Sequence, residues 1–258
     1  METMFAFDDL PWAALVATTL LTGIAALAIY LRQWWSGKAT AFWRGNLVPG
    51  LPLRWLWGIL AIVWLVFHYV WIPYLLPMVS IVVAALAIIF SKQLPTDFWN
   101  LRGDQIRDYF LKGIKVFFVM LVPIYVASVL YRLALLYFDI PLTSQPAVDE
   151  LLKARREGKE VLFFLEALVL APLWEEIIFR GFLYPFFKAK WGQWMALMFS
   201  SLLFAGMHAH LPTFFPLMFF GVILGWTYER YGSLGYPIAL HAVFNVISSI
   251  YILLLSRG

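Results

Sequence analysis

The chain has 258 residues, 63% of them hydrophobic and 13% charged, with a formal net charge of +4. Soluble domains sit near half apolar and a quarter charged, so the composition excludes an ordinary soluble domain and points to a multi-pass membrane protein, expected in the cell (inner) membrane. There is no cysteine, which excludes disulfide and thiol chemistry, and the positive balance reports basic cytoplasmic connectors and carries no nucleic-acid meaning. Apolar runs of roughly 20 residues separated by short charged connectors predict an all-α, polytopic transmembrane helix bundle of about eight spans, not a barrel.

Pro11 to Leu31 is uncharged and long enough to span once. The acidic residues before it lack the basic region of a secretory signal, so it reads as an uncleaved span. Arg32, Lys38, Arg44 and Arg54 follow with no acidic residue among them, which places that connector in the cytoplasm and the N-terminus outside. Trp55 to Ser91 is uncharged and would be about 55 Å long as one helix, nearly twice the hydrocarbon thickness. It must fold back, and Pro73 and Pro77 mark the turn. His68 stands alone among aromatics in the first arm and reads as structural.

Lys92 to Lys115 is mixed in charge and amphipathic, with Thr96-Asp97 placed to cap a short surface helix. Its basic residues return it to the cytoplasmic side. A fourth span runs from Val116 to about Phe138, with Arg132 snorkelling near its far end. The polar stretch Asp139 to Lys159 reads as an external loop carrying a short helix. It divides residues 1–158, the N-terminal membrane helices, from a catalytic part at 159–258. That part holds spans at about 160–185, 191–208, 211–228 and 236–255.

The fifth span contains Trp174-Glu175-Glu176-Ile177-Ile178-Phe179-Arg180-Gly181. A charged side chain at bilayer depth costs roughly 2.5–3.5 kcal/mol even on the lenient insertion scale, so two carboxylates and a guanidinium here argue for a site. Glu176 and Arg180 are i,i+4 and can pair on one face, while Glu175 is rotated away by about 100°. That division leaves one carboxylate held ionised and the other available as a general base. A structural ion-pair network is the alternative. The sixth span ends Phe204-Ala205-Gly206-Met207-His208, and His208 can serve as base, acid or metal ligand. The eighth carries His241 and Asn245 on one face, two potential donors to an oxyanion or a helix–helix hydrogen-bond pair. His210, beside Pro212, reads as an interface residue. Glu166 lies on roughly the same face as Glu175, either at the mouth of a cavity or, as favoured here, near the external interface.

Together, Glu-Glu-x-x-x-Arg at Glu175, Glu176 and Arg180, Phe-x-x-x-His at Phe204 and His208, and His-x-x-x-Asn at His241 and Asn245 resemble the three motifs of the CPBP family. These are the CAAX prenyl proteases and bacteriocin-processing or self-immunity (Abi) proteins, similar to the eukaryotic Ras-converting enzyme. The resemblance covers about residues 160–250. It implies a glutamic-type intramembrane endopeptidase with no metal cofactor. In it Glu175 activates water with His208, His241 and Asn245 form an oxyanion hole, Glu176 and Arg180 support the site, and Phe204 packs beside His208. The implied partners are membrane lipid and a peptide or membrane-protein substrate, with a prenylated CAAX-type target as one possibility.

The span boundaries put His208 at the external end of its helix and His241 near the cytoplasmic start of its own, so the helices must be displaced, tilted or broken for the motifs to meet. Three other readings compete. One is a zinc protease using Glu175, His208 and His241, although no His-Glu-x-x-His is present. The second is a non-catalytic immunity or scaffold protein, and the third a proton-coupled transporter.

Overall fold

A computed structural model describes residues 99–256, together with helical Ile24, Ala25 and Ala28. The expected second and third spans, most of the first, His68 and the Thr96-Asp97 cap lie outside these residues. Among the described residues the fold is entirely helical. After a 3₁₀ turn at Gly103–Gln105 come α1 (Ile106–Tyr137), α2 (Pro146–Arg156), α3 (Glu160–Leu165), a π-helical turn (Glu166–Leu170), α4 (Ala171–Glu176), a second π-helical turn (Ile177–Leu183), α5 (Tyr184–Met207), α6 (Leu211–Tyr231) and α7 (Gly235–Leu255).

Three described helices are long and apolar enough to cross a membrane, at Gly103–Tyr137, Leu211–Tyr231 and Gly235–Leu254. The first differs from the sequence expectation. From Ile106 onward the amphipathic segment and the fourth span form one continuous helix, because nothing between Ile106 and Val116 breaks it. The charged residues Arg107, Asp108 and Lys112 are its first turns, and Asp108 takes Lys112 at 2.8 Å in an i,i+4 pair. The short helix expected in the external loop is α2, with Pro146 in its first turn, a position where the missing N–H is not needed.

The break expected between the fifth and sixth spans falls at Gly192, where φ is 81° and ψ 174° and the helix is interrupted, a conformation that glycine adopts without a Cβ clash. The part of α5 after Gly192 is about 22 Å long by helical rise, shorter than the roughly 30 Å hydrocarbon core. A helix of that length starting at one face ends at depth within the bilayer.

The core gathers around α4 and the second π turn. Ile178, Phe179, Phe182 and Leu183 pack with Phe204 of α5, Phe220 and Leu224 of α6 and Leu240 of α7. Lipid tails are as apolar as these side chains, so close van der Waals packing and buried polar bonds hold the helices together rather than hydrophobic exclusion. The α5–α6 contact shows this. A Cβ added at Gly221 would lie 3.0 Å from Cβ of Ser201, so only a glycine lets the two backbones come this close. Trp99 ties the chain entering α1 to the α6–α7 turn, its carbonyl accepting the Leu234 N–H at 3.0 Å.

Candidate active site

Glu175 and Glu176 end α4, immediately before the backbone switches to π-helical bonding at Ile177. Such turns occur mostly as single insertions in α-helices and frequently at functional sites. Glu176 and Arg180 are both fully buried, and Arg180 Nη1 donates to Glu176 Oε1 at 3.0 Å. Arg180 Nη2 donates to the carbonyl of Gly221 at 2.8 Å, and the guanidinium carbon lies 4.6 Å from the centre of the Phe204 ring. A charge pair of this kind is held in low dielectric only when further hydrogen bonds and a cation–π face complete it.

The same oxygen of Glu176 has a second partner, Nδ1 of His241 at 2.9 Å. A carboxylate accepts, so Nδ1 is assigned the proton. The other ring nitrogen, Nε2, lies 3.9 Å from Glu175 Oε2. Glu175 is only 7% exposed, and its Oε2 accepts no hydrogen bond. Oε2 of Glu176 and Nε of Arg180 are likewise buried without a partner, and an unpaired buried polar group is costly to keep.

His208 caps α5, and its Nδ1 lies 2.8 Å from the carbonyl of Phe204. That carbonyl can only accept, so Nδ1 carries the hydrogen and Nε2 is the basic nitrogen of the neutral ring. Asn245, one turn after His241 on α7, donates Nδ2 to the carbonyl of Ala167 at 2.7 Å. Ala167 belongs to the first π turn. The amide is thereby oriented, with its second N–H still available.

Glu175, His208, His241 and Asn245 line one cavity of about 390 Å³. The depth mismatch between His208 and His241 therefore disappears. Phe204, one turn before His208, lies edge-on to His241 at 5.8 Å and to His208 at 5.0 Å. The short second half of α5 delivers both residues to the depth of the second and third turns of α7.

Glu166 lines the same cavity. His210 is buried rather than at an interface. Its ring bonds Thr213 Oγ1 at 2.9 Å and Thr143 Oγ1 at 3.1 Å, fixing the α5–α6 turn. Arg132 is exposed.

Several wall residues carry no sequence signal. Phe220 stacks on Phe244 at 4.3 Å and meets His241 edge-on at 5.6 Å, yet it is one phenylalanine among many. Trp174 precedes Glu175 and lines the cavity, and its indole N–H is buried without an acceptor. Glu150 reaches the cavity from α2. Partial loss of water there raises its carboxyl above the usual range, against the opposing pull of Lys153. Among the described residues no group of three His, Asp or Glu side chains is placed to hold a metal ion.

Residues 157–247 match the family model described as type II CAAX prenyl endopeptidase Rce1-like. The chain is similar to the UPF0177 protein YbdI of Lactococcus lactis subsp. lactis (strain IL1403), 32% identical over 114 residues that cover 41% of this chain and 61% of that protein. It is also similar to an uncharacterized 24.3 kDa protein of Escherichia coli, 31% identical over 107 residues that cover 40% of this chain and 49% of that one. The similarity thus spans between about half and three-fifths of the length of these curated relatives. No solved structure matches the chain.

Proposed function

We propose that the chain, whose residues 157–247 match the Rce1-like CAAX prenyl endopeptidase model, is an intramembrane endopeptidase that hydrolyses a peptide bond of a membrane-associated substrate with Glu175 as general base. The observation that carries this reading is the unpartnered, buried Oε2 of Glu175 in a cavity shared with His208, His241 and Asn245.

The chemistry follows from the donors and acceptors. Glu175, assisted by Nε2 of His208, takes a proton from a water, which attacks the scissile carbonyl carbon. The tetrahedral oxyanion accepts from Asn245 Nδ2–H and from His241. With Nδ1 of His241 already given to Glu176, its Nε2 donates to the oxyanion when it also carries a proton. Collapse expels the amine, which takes back the proton held by Glu175 and His208. Arg180 pairs with Glu176, and Glu176 keeps the His241 ring in register. No step passes through a metal ion.

A panel of quenched fluorescent peptides, prenylated and plain, tests the reading with the detergent-purified chain, with products identified by mass spectrometry. The reading predicts a discrete internal cut that persists in chelator. Cleavage that chelator abolishes and zinc restores would contradict the mechanism.

A further inference from the structure

The face that α7 turns to the cavity continues past the two motif residues it carries. His241, Asn245 and Ser249 stand at i, i+4 and i+8, and all three line the cavity. Ser249 is only 7% exposed. A serine or threonine hydroxyl inside an apolar helix ordinarily bonds back to the carbonyl one turn earlier. Ser128 and Thr227 do so, donating to the carbonyls of Ile124 and Ile223 at 2.7 Å each. The Ser249 hydroxyl makes no such bond and has no other partner among the described residues. No step of the reaction written above uses it. It is a donor on the cavity wall, one helical turn beyond the Asn245 amide.

Two spacings coincide here. Four residues of helix advance about 6 Å, and two residues of extended peptide advance about 6.6 Å. Carbonyls two apart in an extended peptide point the same way, and the one between points away. A peptide lying extended along α7 with its scissile carbonyl at Asn245 therefore brings the carbonyl two residues away to Ser249. Resting on the peptidase reading, we propose that Ser249 binds the substrate, donating its hydroxyl to the main-chain carbonyl two residues from the scissile one. Asn245 and Ser249 then hold one edge of the peptide at two points. The contact is to backbone, so it sets the register of the cut without selecting a side chain at that position. Ser248 also lines the cavity, but it is less buried and stands about 100° around the helix from Ser249, off the i,i+4 row that runs through Asn245.

The test takes the peptide that wild type cuts fastest in the prenylated and plain panel. Two further versions carry an ester in place of the amide two residues to the N-terminal or the C-terminal side of the scissile one, because an ester carbonyl is the weaker acceptor. Wild type, Ser249→Ala and Ser248→Ala are compared as full chains in detergent, with thermal melts beside the kinetics. Ser249→Ala is expected to lower kcat/KM about 3- to 10-fold, the range of one neutral hydrogen bond, mainly through KM. The ester on one of the two sides should cost wild type a similar factor and cost Ser249→Ala nothing more. A packing role for Ser249 does not produce that coupling. Ester losses that stay unchanged in Ser249→Ala on both sides, or that vanish in Ser248→Ala instead, overturn the proposal. If the panel yields no cleavage, the peptidase reading fails. The same cycle is then read as fluorescence anisotropy on Glu175→Gln with the panel peptide that binds tightest, and the absence of an ester effect that depends on Ser249 overturns the proposal there as well.

Discussion

Nδ1 of His241 lies 2.9 Å from Oε1 of Glu176, the oxygen that also receives Arg180 Nη1 at 3.0 Å. The second glutamate of the motif is thus the shared acceptor of an arginine from its own helix and a histidine from α7 through Oε1, while Oε2 of both glutamates is without a partner. The two adjacent carboxylates differ in role because their partners differ.

Glu176→Gln should therefore damage both stability and turnover. Removing one partner of a buried charge pair typically costs about 3–5 kcal/mol, here leaving Arg180 uncompensated. A marked fall in thermal midpoint in detergent is expected. Replacing both members, as Glu176→Leu/Arg180→Met, should recover much of the midpoint without activity. A Glu176→Gln protein as stable and active as wild type would remove the shared-acceptor account.

Asn245→Ala should lower kcat by roughly 10²- to 10³-fold, the usual cost of one oxyanion donor, with little change in KM. The lost bond to the Ala167 carbonyl costs only about 1 kcal/mol of stability, so the variant should remain folded. Asn245→Asp keeps the shape but turns a donor into an acceptor facing a carbonyl, and should not rescue turnover. Steady-state kinetics beside thermal melts separate these effects.

Gly221 serves the site at a distance, through its carbonyl bond to Arg180 and its contact with Ser201. Gly221→Val should cost about 1–3 kcal/mol by overpacking and shift the carbonyl that holds the guanidinium. Gly221→Ala paired with Ser201→Gly should recover part of the loss that Gly221→Ala shows alone. The absence of any coupling in that double-mutant cycle would show that the two helices do not meet as described.

Much of this arrangement was legible in the sequence. The Glu176–Arg180 pair follows from i,i+4 spacing. The separation of Glu175 from it follows from a 100° step, and the shared face of His241 and Asn245 follows from the same rule. What spacing did not give was the depth at which these faces meet. The boundary between the spans at 160–185 and 191–208 was legible to within a few residues, since the helix is interrupted at Gly192, whereas the inward draw of Lys188 to Glu229 at 2.6 Å was not. The short arm beyond that glycine places His208 level with His241. His241's choice of Glu176 over Glu175 depends on the relative rotation of α4 and α7, which no local pattern encodes. Glu150 was hidden for another reason: a glutamate in a polar loop gives no signal until α2 folds over the cavity.

The central claim is that Glu175 performs the base chemistry, and the most direct measurement is kcat for Glu175→Gln on a peptide that the wild-type protein cuts, beside a thermal melt of both proteins. The amide nearly preserves shape and removes the basic oxygen. The account predicts a loss of at least about 10²-fold in kcat, the lower range of general-base contributions, with the melting midpoint held. Turnover close to wild type in a folded Glu175→Gln protein would contradict it.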